Sequence, residues 1–118
     1  MRKLLLVTLL AVSNLAVADD DASLDAAKAH DEAVIVAAKE IVANGLKDPD
    51  SAQFRNIFVR QGKSKRVTCG EVNAKNSYGG YTGYRTFSVL EGDSKALIKQ
   101  GDPVMDPFID SVCKRPSQ

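Results

Sequence analysis

Side chains able to carry enzyme chemistry are scarce in this chain. It contains two cysteines, Cys69 and Cys113, and one histidine, His30. A thiol nucleophile needs a nearby base such as histidine, and His30 lies far from both cysteines in the sequence. The run His30-Asp31-Glu32 places no second ligand on the same helix face, and no H-E-x-x-H motif is present. We therefore predict that the protein is not an enzyme and holds no metal or cofactor.

The strongest chemical signature is the segment NSYGGYTGYR, residues 76–85, which contains all three tyrosines of the chain. Tyrosine combines rigid contact area with a polar tip, and glycine, serine and asparagine give adaptable hydrogen bonding, as in antibody binding loops. An arginine can hold a carboxylate through two parallel hydrogen bonds. The alternative is structural, with one tyrosine packed on a helix and the rest building a hairpin turn. The predicted partner-binding residues are Asn76, Tyr78, Tyr81, Tyr84 and Arg85.

The N-terminus predicts export. Arg2-Lys3 precedes an apolar stretch over residues 4–17, which ends in the cleavage motif Ala16-Val17-Ala18. The stretch is interrupted by polar residues and is too short for a membrane-spanning helix, which needs about 20 apolar residues. We expect a signal peptide over residues 1–18, cleaved after Ala18, and a periplasmic or secreted protein.

The exported part is nearly neutral and small enough for one domain. Removing Arg2 and Lys3 from the 16 basic residues leaves 14 against 15 acidic residues, a formal charge of −1. This balance argues against nucleic acid as a partner. The basic cluster at residues 63–66 is expected to be a solvated turn, with contact to anionic lipid or an acidic partner as the alternative. A chain of this size supports a single core, so we predict one domain over residues 19–118.

Export also determines the expected state of the cysteines. In an oxidising compartment two cysteines permit one intramolecular pairing, so we predict a disulfide between Cys69 and Cys113. Closing a loop of about 45 residues stabilises a fold by roughly 4 kcal/mol in the chain-entropy model. Two free buried thiols are the alternative.

The spacing of apolar residues predicts one long helix followed by three strands. Residues 22–46 are alanine-rich with a helical recurrence of apolar positions, and Asn44-Gly45 provides a stop. Strands are predicted near residues 54–60, 66–74 and 81–90, and the short turns between them imply an antiparallel meander. Residues 95–99 form either a helical turn or an extended edge. Asp106-Pro107 predicts the start of a short final helix.

Two segments resemble a known group of proteins. DPDSAQFRNIFV, residues 48–59, and CGEVNAKNSYGGYTGYRTFSV, residues 69–89, are similar to the DPxSAxFR and CGxVNxKNxxGGYxGYxxF segments of an uncharacterised family of small exported proteins of Gram-negative bacteria. The similarity covers about a third of the exported chain. It implies a location in the cell envelope and a shared fold, and it implies no particular activity.

Together these features predict an α+β fold. A long N-terminal helix packs on a three-stranded antiparallel meander, and a short C-terminal helix is held by the disulfide between Cys69 and Cys113. We expect the long helix to cover one face of the sheet. The other face, with Glu71, Asn73 and Arg85, is expected to be open to solvent or to a partner.

The predicted function is binding. We expect a small module that recognises a protein partner in the cell envelope through the hairpin Asn73–Arg85. Its most concrete form is an inhibitor or immunity protein against an envelope-targeted hydrolase. The alternative is a structural or accessory subunit of an envelope secretion or conjugation machine that docks through its long helix. The sequence leaves the oligomeric state and the identity of the partner open.

Overall fold

The computed structural model describes the backbone of residues 19–115 and the side chains from residue 23 onward. The predicted signal peptide and its cleavage site lie outside the described residues. A 3-10 turn, Pro49–Ser51, joins the first helix to the first strand. In chain order the helices and strands are α1 (Asp19–Asn44), β1 (Gln53–Gln61), β2 (Arg66–Asn73), β3 (Arg85–Leu90), β4 (Leu97–Ile98) and α2 (Met105–Val112).

The strands form one antiparallel sheet in the order β1-β2-β3-β4. The register of β1 and β2 is interrupted by a bulge between Arg55 and Phe58. Strand β4 is short and extends the sheet beyond β3 through the pairs Phe87–Ile98 and Ser88–Leu97. The predicted α+β class is confirmed. The predicted number of three strands is wrong, because the segment after β3 takes the extended edge conformation and adds a fourth.

Helix α1 packs across one face of the sheet. Its alanine-rich sequence has high helix propensity, and apolar side chains one turn apart give it one face that contacts the strands. Among the described residues, neither helix is long and apolar enough to cross a membrane. The core between α1 and the sheet is formed by Ala38, Val42, Val72, Phe87 and Val89.

Helix α2 lies on the opposite face and is tied to it covalently. Cys69 of β2 and Cys113, directly after α2, form the predicted disulfide, with their Cα atoms 5.6 Å apart. Ile109 of α2 is fully buried. Arg60 of β1 donates a hydrogen bond of 2.8 Å to the carbonyl oxygen of Val112, which satisfies an unpaired acceptor at the helix C-terminus. Helix α2 is therefore held on the sheet by the disulfide, by the burial of Ile109 and by the hydrogen bond from Arg60.

The start of β3 differs from the sequence prediction. The strand begins at Arg85 instead of residue 81, and Tyr81 pairs with Lys75 through a single isolated bridge. Gly83 has a φ of 99°, which interrupts the extended backbone before β3. The residues between β2 and β3 therefore form a long loop on the sheet, and the predicted third strand is shortened by four residues.

The helix ends also differ from prediction. Helix α1 spans Asp19–Asn44 where residues 22–46 were expected, although the predicted stop at Asn44 is confirmed. Helix α2 is not capped by Asp106. The carboxylate of Asp102 accepts hydrogen bonds from the amides of Met105 at 2.9 Å and Val104 at 2.8 Å, and these bonds hold the pKa of Asp102 below its usual value. The side chain that satisfies these amides therefore lies three residues before the first residue of α2.

Arg85 does not share a sheet face with Glu71 and Asn73, contrary to the sequence prediction. It lies directly opposite Val72, a core residue beneath α1, whereas Glu71 lies opposite Thr86. Cross-strand partners point to the same side of a sheet, and successive residues of a strand alternate between sides. Arg85 therefore belongs to the α1 face, and Glu71 belongs to the face that α2 partly covers.

Candidate functional site

Asparagine side chains hold the loop between β2 and β3 in one conformation. We call residues 74–84 the hairpin loop. Asn76 Oδ1 accepts hydrogen bonds from the amides of Tyr78 at 2.9 Å and Gly80 at 3.1 Å. Asn73 Oδ1 accepts one from the amide of Gly83 at 3.0 Å. Through these bonds both asparagines close turns with their side chains, so the hairpin loop is ordered without a partner.

Two of the loop glycines are required by the backbone. Gly79 has a φ of 80° and Gly83 has a φ of 99°, values that other residues rarely adopt. A methyl group at either position would meet nothing within 4 Å, so neither glycine serves a close approach of another backbone. The backbone conformation of the hairpin loop therefore explains why glycine occupies positions 79 and 83.

Two tyrosines of the hairpin loop are available for contact. Tyr78, at the tip, is 97% exposed. Tyr81 is 46% exposed, and its hydroxyl donates a hydrogen bond of 3.3 Å to the carbonyl oxygen of Ser51. Lys75 Nζ lies 5.6 Å from the centre of the Tyr81 ring. Tyr78 therefore projects freely, whereas Tyr81 is anchored at its polar end and presents part of its ring.

Tyr84 lies on the other face of the sheet, in a cluster that the sequence did not predict. Its ring stacks on the guanidinium of Arg55, 3.7 Å from the ring centre. Arg55 in turn donates to Glu71 at 3.1 Å, and Asn56 donates to Glu71 at 2.8 Å. Both hydrogen bonds hold the pKa of Glu71 below its usual value, and the one from Asn56 has the larger effect. Tyr84 is thereby committed to an intramolecular contact.

Arg85 lines a groove beside the hairpin loop, with a volume of about 340 Å³. Lys47 and Lys75 line the same groove, and we call it the basic groove. Among the described residues, no carboxylate lies within ion-pair distance of these three cations. The remaining side chains of the groove are apolar or uncharged, and they include Leu46, Val72, Asn76, Ile98 and Gln100.

The basic groove is where the predicted and the unpredicted site residues meet. Of the predicted residues, Asn76 and Arg85 line it, while Tyr78 and Tyr81 lie on the hairpin loop that borders it. Lys47 and Lys75 were not predicted. Lys47 comes from the segment after α1, and no local pattern connects it to the hairpin. Unpaired cations concentrated in a concave surface attract negatively charged groups.

Free thiols and metal-binding clusters are absent from the part of the chain that the structure describes. Both cysteines are in the disulfide, and no group of three or more His, Cys, Asp or Glu side chains there could hold a metal ion. His30 contacts Glu91 at 3.0 Å on the surface between α1 and the turn after β3.

Comparisons with protein-family models, with curated proteins and with solved structures found no match to this chain. The resemblance to small exported proteins of Gram-negative bacteria therefore stays a prediction from the two sequence segments.

Proposed function

We propose that the chain is a small periplasmic or secreted binding module that recognises an acidic segment of a protein partner through the basic groove and the hairpin loop. The observation that carries this proposal is that three cations, Lys47, Lys75 and Arg85, line one groove and form no ion pair with any described carboxylate. Such a groove is complementary to carboxylates, and complementary charge steers association and selects the partner.

The hairpin loop supplies the second part of the proposed surface. Tyr78 is exposed at its tip, and the Asn73 and Asn76 side chains hold the backbone around it. A loop that is ordered in advance loses little conformational entropy on binding. Exposed tyrosines are common among the residues that dominate interface energies. We infer that Arg85 anchors a carboxylate while Tyr78 contacts an adjacent apolar or aromatic side chain.

In its most specific form, the proposed module is an inhibitor or immunity protein against an envelope-targeted hydrolase. A small domain with a rigid projecting loop can enter a concave active site, and the acidic segment would then belong to the rim of that site. This form depends on the predicted export of the chain, since an envelope-targeted enzyme is met only outside the cytoplasm.

Affinity capture with matched variants tests the proposal. We expect the wild-type exported chain to capture a partner from envelope extract, and the double variant Tyr78→Ala/Arg85→Ala to lose it. Both side chains are exposed, so the variant should unfold within about 0.5 kcal/mol of the wild type. Lys63→Ala, which removes a cation from the turn at the opposite end of β2, is the control. Retention of the same partner by the double variant would contradict the proposal.

A second candidate function is docking through α1, as a structural or accessory subunit of an envelope secretion or conjugation machine. Every side chain from Ser23 to Ala29 is exposed, and Leu24 and Val36 are apolar residues with 59% and 58% exposure. These residues support a helix-mediated contact. Replacing Leu24 and Val36 with serine would then abolish assembly, while Tyr78→Ala/Arg85→Ala would leave it intact.

A further inference from the structure

The outer edge of β4 lies next to the basic groove. Strand β4 is the last strand of the sheet, so no described strand pairs with its outer side. A second groove, of about 450 Å³, is lined by residues 96–98 and 100–102 and by Met105, and we call it the edge groove. Ile98 and Gln100 line both grooves. A segment bound in the basic groove can therefore continue along β4.

The backbone of Ile98 faces this edge. The amide of Lys99 donates a hydrogen bond of 2.9 Å to the carbonyl oxygen of Thr86 on β3. In an antiparallel ladder, hydrogen-bonded residue pairs alternate with non-hydrogen-bonded ones. The neighbouring pair, Ile98 with Phe87, is therefore a non-hydrogen-bonded pair. The N–H and C=O of Ile98 point away from β3, where an added strand can bond to both.

The edge is short, and the chain itself closes one end of it. The carboxylate of Asp106 accepts hydrogen bonds from the amides of Gln100 at 3.1 Å and Gly101 at 2.9 Å. Ile98 is left as the residue that offers its backbone to a partner. One residue of an added strand can exchange two hydrogen bonds with it, and the neighbouring residues of that strand need side-chain contacts.

The two sides of the sheet offer different side-chain contacts at this edge. Ile98 packs against the core beneath α1, on the side of the basic groove. On the α2 side, Leu97 and Met105 line the edge groove with 36% and 40% of their surfaces exposed. Asp102 lies beside them and repels a second carboxylate. Acidic side chains are therefore favoured on the α1 side and apolar ones on the α2 side.

Two other arrangements fit the structure less well. The opposite edge of the sheet, β1, is interrupted by the bulge between Arg55 and Phe58, and bulges hinder the pairing of edge strands. No residue of β1 lines the basic groove. A second copy of the chain is disfavoured at β4, because two-fold antiparallel pairing would bring two basic grooves to the same side of the joined sheet.

We propose that the acidic segment of the partner binds in an extended conformation, as an additional antiparallel strand on β4. This inference rests on the proposed function of the basic groove. Antiparallel addition continues the pattern of all three strand pairs in the sheet. Cross-strand partners point to the same side, so the residue opposite Ile98 points to the side of the basic groove and is acidic. Its neighbours point towards Leu97 and Met105 and are apolar.

This arrangement determines which amides of the segment face β4. In an antiparallel pair, the acidic residue opposite Ile98 directs its own N–H and C=O towards Ile98, and the apolar residues direct theirs to solvent. The peptide acetyl-Val-Glu-Val-Glu-Val-amide has the required alternation. Methyl groups on its two glutamate nitrogens remove the donors that face β4, whereas methyl groups on its last two valine nitrogens lie on the solvent side.

NMR titration of residues 19–118 with these three peptides tests the proposal. We expect the unmodified peptide to give saturable shifts at the amides of Ile98 and Arg85. Methylation of the glutamate nitrogens should weaken binding roughly 10-fold, and methylation of the valine nitrogens, the matched control, should leave it unchanged.

The outcomes separate this inference from the proposed function. Equal binding of the two methylated peptides, or weaker binding of the valine-methylated one, overturns the antiparallel strand. Shifts at Lys47, Lys75 and Arg85 in that experiment would still support the basic groove. Failure of the unmodified peptide to bind also overturns the inference, and hexaglutamate, which needs no apolar contact, then tests the basic groove separately.

A pair of variants at residue 98 tests the same hydrogen bonds from the side of the protein. Ile98→Pro removes an N–H that points away from β3, a position where edge strands tolerate proline. Ile98→Ala also loses packing but keeps the N–H, so it is the matched control. The proline variant should bind the unmodified peptide roughly 2- to 10-fold more weakly than the alanine variant. Equal binding by the two variants, or concentration-dependent shifts at Ile98 in the free wild-type chain from self-pairing of β4, would overturn the proposal.

Discussion

Glu71 is held in its charged form by two neighbours. The amide of Asn56 and the guanidinium of Arg55 donate to its two carboxylate oxygens, and they lower its pKa from the usual 4.5. Because the folded-state pKa lies below the unfolded one, the charged carboxylate stabilises the fold above pH 4.5. This stabilisation is lost as the pH falls through the lower, folded-state pKa.

The variant Glu71→Gln isolates this contribution. At pH 7 it should lower the free energy of unfolding by less than about 1 kcal/mol, since the ion pair is partly exposed to solvent. The difference from wild type should shrink towards zero well below pH 4.5, where Glu71 is itself protonated. Urea unfolding at pH 7 and at a pH well below 4.5 measures this difference in the free energy of unfolding. Glu40→Gln, on the exposed side of α1, is the control. A difference that persists unchanged in acid would contradict this account.

Gly70 is the glycine that the core requires. A methyl group on it would lie 2.9 Å from Ile57 Cγ1 and 2.9 Å from Phe87 Cζ, closer than carbon atoms pack. Gly70 was missed because its constraint comes from side chains that are distant in sequence.

Gly70→Ala should therefore destabilise the fold by about 1–3 kcal/mol through overpacking. Gly80→Ala is the matched control, since a methyl group there meets nothing closer than Asn76 Oδ1 at 3.8 Å. The control should leave stability unchanged or raise it by up to about 1 kcal/mol, because alanine restricts the unfolded chain more than glycine does. Urea unfolding of both variants decides the point, and equal stability of the two would contradict the packing described for Gly70.

At the scale of elements, the disulfide determines whether α2 stays on the sheet. Helix α2 has eight residues and is too short to be stable in isolation. The disulfide joins residues separated by 44 positions, so its reduction should lower the free energy of unfolding by about 4 kcal/mol.

Hydrogen exchange separates a local effect from a global one. After reduction, the amides of Ile109 and Cys113 should lose protection, because α2 is then held by the burial of Ile109 and by the Arg60 cap. The amides of Ala38 and Val42 in α1 should change much less. If α2 keeps its full protection after reduction, the disulfide is not what retains it.

The elements that were predicted correctly have a strong local signal. The alanine-rich run located α1 to within a few residues, and the second predicted strand, residues 66–74, matches β2 to within one residue. The start of β3 was misplaced because Gly83 leaves the extended region, a choice fixed by its hydrogen bond to the distant Asn73 side chain. Strand β4 has two residues and no periodicity of its own, and it exists because β3 offers a free edge.

At the scale of the whole molecule, the basic groove is assembled from separate parts of the chain. Lys47 follows α1, Lys75 follows β2, and Arg85 begins β3. The sequence identified Arg85 as an anchor but placed it on the wrong sheet face. No local pattern brings Lys47 to the same groove, since that proximity depends on how α1 crosses the sheet. The sequence thus named two residues of this groove, Asn76 and Arg85, but it did not reveal the charge that the fold gathers there.

The most direct test of the basic groove is an NMR titration of the chain from residue 19 to residue 118 with hexaglutamate, repeated at low and high salt. We predict shifts at the amides of Lys47, Lys75 and Arg85 that diminish as salt is added, because exposed charges are screened. Arg85→Ala should weaken binding about 10-fold, the loss expected for hydrogen bonds to a charged group. Equal binding by wild type and Arg85→Ala, or shifts centred on the Lys63–Arg66 turn instead, would contradict the account.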